Sequence, residues 1–542
     1  MTAPATHQRL RALGRGLAPH RWTAVLVLLA VLPHLPYLWQ FLRQGVPDLL
    51  FDGDGAVIEL RTLYTARDVQ LVGPYSRFLW SHPGPAFFYL ALPFYALFHL
   101  RGPALNLAVL FLNGAAAIAL VLTARRLRGT LFALVTAGTL AVFERVTTFH
   151  LSGEWNPVVP IIPLASLVFL AVRLGSGAVR GAPAVAFVAS AIVQTHLGYT
   201  PTVLYLGATG ALFCVREHFF SGAPVRTDRR RFAAWALAAA GVMLLMWALP
   251  LYENATRTPG NLHTLRKFFA VPHVAEHTWR AALDVVARQL AEFPVAVARR
   301  VIPLPATSLT ANHLIAGAEA IGLLAAVAIA LRRRDNVAAL LAAITLGSIV
   351  AAVSSVREIR GEVLDYLVGW ISVLGFVAVV ALAAPWIPPT GAAAEAEPRA
   401  RRRRRIALAV ILPVLIFAFH TTDTNRAVRE RDPQLERLVA AVEASLRADP
   451  PGGPVLIEIN AHDEWPHAAA LALSLYKHRI PVTVTDDWLF MFGPQMRSGG
   501  REPYALVVAD APLAGKLKSY ATRTLIGEAE GTWIFLRDRG AP

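Results

Sequence analysis

Charge is scarce in this sequence, and cysteine nearly absent. Only 16% of the 542 residues are charged, against about 25% in ordinary soluble domains. Hydrophobic residues make up 55% and the mean hydropathy is +0.47. These figures exclude a soluble globular protein, a disordered chain and a collagen-like repeat. Cys214 is the single cysteine, so no intrachain disulfide forms and any extracytoplasmic part folds without staples. Lysine is rare too: four of the 52 basic residues. A net charge of +16 suggests nucleic acid at first sight. The arginines, however, sit in short clusters between apolar runs, without the interleaved aromatics of a nucleic-acid surface. There is no Walker loop, no Gly-x-Gly-x-x-Gly after a strand, no paired Cys-x-x-Cys and no His-Glu-x-x-His. An ATP-driven pump or a nucleotide-sugar enzyme therefore finds no support.

What is present is a series of apolar runs near the ~20 residues that cross a bilayer. About eleven transmembrane helices are expected, at 22–43, 104–124, 130–146, 157–174, 182–199, 201–216, 232–251, 313–331, 336–356, 366–386 and 406–421. Arginine clusters at 9–21, 125–128, 173–180, 216–231, 332–334 and 399–405 alternate with an opposite side whose short loops carry only Arg145, Arg357 and Arg360. The positive-inside rule then sets the N-terminus inside and the C-terminus outside a bacterial inner membrane. Residues 86–100 are too short to span and contain Pro93, so they read as a helix lying at the outer interface. The transmembrane domain covers 1–421, with a first outer loop at 45–103 and a large one at 252–312. That second loop carries an amphipathic surface helix near 276–300. Residues 422–542 form a periplasmic accessory domain. Helical patterns at 434–448 and 465–478 and apolar runs at 454–459, 481–485, 505–509 and 533–536 mark it as a small α/β domain.

Polar groups gather on the outer side. The first outer loop opens with Asp52-Gly53-Asp54 and continues to Glu59 and Arg61. Asp54 leads a helix expected over 55–67, where free amides and the helix dipole favour a carboxylate; a plain helix cap has the same pattern. The stretch 73–85 combines Tyr75, Arg77, Trp80 and His82 in a Pro/Gly-rich turn. His150, Glu154 and Asn156 open the fourth span, Gln194 and His196 close the fifth, and Arg357, Arg360 and Tyr366 enter the tenth. For each alone, a structural hydrogen bond explains the residue; their shared side is what points to a site. The tail segment His462 to His467 has metal-capable side chains but equally describes a helix start.

A long first outer loop that begins with an acidic cluster, runs through juxtamembrane helices and carries a basic residue followed by proline resembles the GT-C glycosyltransferases. The likeness is to the lipid A aminoarabinose transferase and protein O-mannosyltransferase branch. It rests on Asp52-Gly53-Asp54, with glycine separating the acids, and on His82-Pro83-Gly84-Pro85, with glycine for the second proline. It spans the organisation of about residues 20–220. The resemblance implies an inverting transfer of a hexosyl or pentosyl group from a polyprenyl-phosphate sugar to an envelope glycan, lipid or protein acceptor. Asp54 would be the base. Asp52, Glu59, Arg77, His82, His150, Glu154, Asn156, Gln194, His196, Arg357, Arg360 and Tyr366 would line the substrate site, with Arg266 and Lys267 as alternative cations. No cofactor is required by it; a divalent cation, Mg or Mn, held by the acidic pair and a histidine is left open. The alternatives are a flippase of lipid-linked sugars, which needs polar groups at mid-membrane, and a non-catalytic envelope assembly protein.

Overall fold

The computed structural model describes residues 21–147, 152–220, 229–271, 276–391, 395, 397–420, 432–460, 462–520 and 522–538. The chain is mostly helical. Helix α1 (Arg21–Gln44) leads to α2 (Gly53–Arg67) and the short α3 (Ala86–Leu97). The bundle continues with α4 (Pro103–Arg128), α5 (Thr130–Val146), α6 (Ile161–Gly175), α7 (Ala182–Thr195), α8 (Thr200–Phe219) and α9 (Arg229–Thr256). After α10 (Asn261–Ala270) and α11 (Trp279–Val301) come α12 (Leu309–Arg332), α13 (Asn336–Arg357), α14 (Asp365–Trp386) and α15 (Pro398–His420). Each of the eleven expected segments falls largely on helix, with 157–160 forming a turn before α6 and residue 421 lying outside the described residues. Six of them, α1, α4, α9, α12, α13 and α14, are long and apolar enough to cross a membrane. Leu237, Leu244 and Leu245 of α9 face outward at 67–76% exposure, as lipid-facing side chains of a multi-pass membrane protein do.

Arginines converge at one end of the bundle. Arg128 pairs with Asp335 at 2.6 Å and donates to the carbonyls of Ala384 and Ile387, while Arg125 donates to Thr23. Asp335 also caps α13 through the Ala338 amide, so one carboxylate both starts a helix and neutralises a buried cation. Tyr366, at the start of α14, lies about 30 Å away, since twenty residues of helix separate it from Trp386.

Helix α11 differs from the expected surface helix. Its apolar residues Ala282, Val286, Leu290 and Phe293 recur at helical spacing and are buried in the bundle core. Gly375 of α14 lets the two backbones approach: a Cβ there would stand 2.7 Å from the Leu290 carbonyl. The amphipathic pattern is that of a helix half inserted among its neighbours.

The C-terminal part folds as α16 (Pro433–Ala448), β1 (Val455–Ile459), α17 (Trp465–Lys477), β2 (Val482–Val484), β3 (Tyr504–Ala509), α18 (Ala511–Leu517), β4 (Arg523–Ala529) and β5 (Thr532–Asp538). The sheet order is β2-β1-β3-β5-β4, parallel across the first three strands and antiparallel across the last two. Strand β4 has no counterpart among the expected apolar runs. It is a half-polar edge strand, and its register shift at Leu525/Gly527 breaks the alternation that would reveal it. This small sheet domain shares a core with the start of the chain: Leu60, Leu63, Tyr64 and Phe88 pack in one cluster with Leu471, Leu475, Met491 and Phe492.

Candidate active site

The site is built on the first turn of α2. Asp52 occupies the N-cap position in extended conformation, and the helix begins at Gly53, two residues before the expected start, so Asp54 lies inside the first turn. There the exposed amide ends of the helix favour a carboxylate. Gly53 sits at φ +50°, a conformation glycine adopts freely, and a Cβ would touch Trp465 and Pro466 of the C-terminal domain at 3.6 Å. The glycine between the acids thus serves a turn and a close approach. Among the described residues, no group of three or more His, Cys, Asp or Glu side chains is placed to hold a metal ion.

Tyr75 holds Asp54. Its hydroxyl donates to Asp54 Oδ1, and its ring stands edge-on to Trp465 and Phe490 at 6.3 and 5.9 Å. Burial, reinforced by the neighbouring carboxylate, pushes the phenol far above its ordinary range, so it remains a proton donor. Tyr75 belongs to the Pro/Gly-rich motif of the first loop, but only the fold brings it to Asp54. Tyr366 lies within electrostatic reach of both Asp54 and Arg77, and its ring packs 4.9 Å from Trp155.

The segment 73–85 is a tight structure rather than an open turn. Tyr75 and Ser81 form an antiparallel bridge, and Asn261 of α10 brackets Ser81, accepting from its amide at 3.0 Å and donating to its carbonyl at 2.8 Å. Asn261 lies outside the expected site. His82 is buried, with Nδ1 accepting from the Leu197 amide at 3.0 Å and its ring 4.8 Å from that of His196. Burial, and then the His196 ring, hold His82 well below its usual pKa; the neutral ring keeps its proton on Nε2. Gly84 explains the departure from a second proline. A Cβ there would stand 2.3 Å from Gln194 Oε1 and 2.7 Å from Pro250. Gln194 itself donates to the Met246 carbonyl at 2.8 Å, tying α7 to α9.

Other expected site residues lie close by but are engaged with the scaffold. Arg77 donates to the carbonyls of Arg360 and Glu362 at 3.1 and 2.9 Å, joining the first loop to the entry of α14. Arg360 stacks 3.9 Å from Phe268, and Arg357 covers Trp279 and pairs with Glu358. Glu154 accepts from Asn106 on α4 at 2.5 Å, and Asn156 donates to Thr195 at 3.3 Å. Arg266 and Lys267 are exposed on α10. Glu59 is not with Asp54: it is fully buried between α2, α3 and the C-terminal domain, pairing with Lys477 and accepting from Tyr95 at 2.9 Å. His150 lies outside the described residues.

No family model matches the chain, and no curated protein matches it by sequence. Solved structures do match in fold. ArnT from Cupriavidus metallidurans in the apo state superposes with a TM-score of 0.52 at 14% identity, covering 97% of this chain and 98% of that one. The same protein bound to undecaprenyl phosphate gives 0.53 at 13% identity, over 96% and 98%. The likeness is one of fold, and it extends through the C-terminal sheet domain.

Proposed function

We propose that this chain is a membrane glycosyltransferase of the GT-C class that moves a sugar from a polyprenyl-phosphate donor to an acceptor hydroxyl at the outer face of the membrane. The observation that carries the reading is the Tyr75-held Asp54 at the first turn of α2. It belongs to a chain that matches end to end a fold solved with undecaprenyl phosphate bound. Asp54 takes the proton of the acceptor hydroxyl as that oxygen attacks the anomeric carbon, and the sugar inverts. The polyprenyl phosphate leaves with the bonding electron pair, and its charge is met by guanidinium groups, of which the exposed Arg77, sharing the neighbourhood of Tyr366 with Asp54, is the first candidate. The high-pKa Tyr75 hydroxyl orients the carboxylate without competing as an acid. The donor's phosphoester supplies the free energy, so no nucleotide site is needed. In this orientation the C-terminal domain is extracytoplasmic and roofs the base through Trp465 and Phe490.

The test is sugar transfer by the purified protein from a panel of polyprenyl-phosphate sugars, with Asp54→Asn alongside. Transfer by the wild type that drops about a thousandfold in a variant of unchanged melting temperature supports Asp54 as base. Full activity in Asp54→Asn overturns the assignment of the base, and absence of transfer from every donor overturns the function.

A further inference from the structure

Beside the base lies a cavity of about 170 Å³ that includes neither Asp54, Tyr75 nor His82. It is enclosed by the 69–81 segment, the α9–α10 turn and the 489–495 stretch of the C-terminal domain. Arg61 lines it and is 2% exposed. Its Nε and Nη2 donate to the carbonyls of Met491 and Phe490, at 3.2 and 3.1 Å, while the buried Nη1 has no hydrogen-bond partner among the described residues. A second cation, Arg257, lines the same cavity from the α9–α10 turn and is exposed. Glu253 is the one carboxylate in the lining, and it is already accepting the Asn261 amide at 2.8 Å. Burial and the like charge of Arg257 bring Arg61 down to about 10, still protonated at neutral pH. A buried guanidinium with an unspent donor, set beside a second guanidinium, is a costly arrangement unless an anion joins them.

We propose that this cavity binds an anionic group, phosphate or carboxylate, of the sugar acceptor, clamped between Arg61 and Arg257. The inference rests on the glycosyltransferase reading. The volume is below the ~300–1,000 Å³ of pockets that enclose whole ligands, which suits one charged group of a larger molecule. Planar guanidinium forks match an oxyanion with paired hydrogen bonds. The walls point to the acceptor rather than the lipid donor, since the 69–81 loop, the α9–α10 turn and the 489–495 stretch of the C-terminal domain supply most of the lining and the long spans contribute only the end of α9. Phe490 forms part of the wall and also touches Tyr75, so an acceptor anchored here has its hydroxyls beside Asp54.

Binding of inorganic phosphate to the full-length detergent-solubilised protein tests this by titration calorimetry, with undecaprenyl phosphate as competitor. The expected result is saturable phosphate binding that weakens about tenfold in Arg257→Gln, the loss expected for one charge-assisted hydrogen bond. Undecaprenyl phosphate leaves it undisturbed. Arg61→Lys weakens it too, but that variant also loosens the contact with Met491 and Phe490, so the exposed Arg257 is the decisive position. Absence of saturable binding, or equal binding by Arg257→Gln, overturns the proposal. Displacement by undecaprenyl phosphate overturns the acceptor assignment and gives the cavity to the donor. Transfer is scored separately: failure with every donor removes the enzyme reading, whereas failure of phosphate binding alone removes only this anion site.

Discussion

Asp54 and Glu59 stand five residues apart on one helix, carry the same carboxyl chemistry and meet opposite fates. Asp54 sits in the first turn of α2, half-buried, with a tyrosine hydroxyl holding it and the helix amides behind it. Glu59 sits mid-helix with no exposed surface, its Oε2 pressed where a Cβ on Gly102 would come within 2.5 Å. Burial raises the Glu59 pKa, opposed first by the Lys477 ammonium and then by the Tyr95 hydroxyl. The difference teaches how to sort acids in such a loop. One that ends a helix near a cleft is available for proton transfer, while one ringed by apolar turns is a structural ion whose partner comes from far along the chain.

The largest expected effect breaks the Glu59 side of that contrast. Lys477→Met leaves a buried carboxylate without its cation and should destabilise the fold by about 3 kcal/mol, read by thermal denaturation in detergent. Glu59→Gln keeps a partner for the Tyr95 hydroxyl and removes the charge, so the double variant should recover much of the loss. If Lys477→Met melts like the wild type, Glu59 is not a structural ion and the contrast with Asp54 fails.

The second effect sharpens the picture of the loop that carries Tyr75. Gly84→Ala drives a methyl into Gln194 and Pro250, and should cost about 1–3 kcal/mol because Gln194 cannot withdraw without giving up the Met246 carbonyl. Gln194→Ala in the same chain makes room and should restore part of the melting temperature. No restoration would mean that the strain lies in the backbone and not at Gln194.

These pairs also show what the sequence could and could not disclose. Apolar run length and arginine spacing located the helices, because crossing a bilayer is a local demand on twenty residues. The acidic pair and the His82 turn were likewise legible as local motifs. The partners were not: Glu59 with Lys477, Arg61 with Met491 and Tyr75 with Trp465 join segments some 390–430 residues apart. Nothing in the period of α2 records them, since the helix is buried all round from Gly55 to Thr65 and has no polar face to betray its neighbours. Strand β4 escaped for the opposite reason, being too polar and too irregular for an alternation to stand out.

A smaller effect tests the Asp54 side. Tyr75→Phe removes the hydroxyl that fixes the carboxylate while leaving the ring against Trp465 and Phe490. Transfer should fall about tenfold in kcat with the melting temperature shifted little, as for the loss of one hydrogen bond to a charged group. A loss confined to KM would assign Tyr75 to substrate binding instead of to orienting the base.

The smallest effect follows from His82. Its folded pKa is depressed, so below the unfolded value near 6.5 the unfolded chain binds a proton that the folded chain does not. Stability from this residue is therefore complete above pH 6.5 and is lost as pH falls, by less than about 1 kcal/mol at pH 6. Melting curves between pH 8 and 5.5 should slope downward toward acid in the wild type. His82→Asn keeps an acceptor for the Leu197 amide without a titrating ring, and the slope should flatten. If the slope is the same in both, the acid sensitivity belongs to other groups. The buried imidazole then takes up its proton in the folded state as readily as in water, which the close packing against His196 and Trp80 argues against.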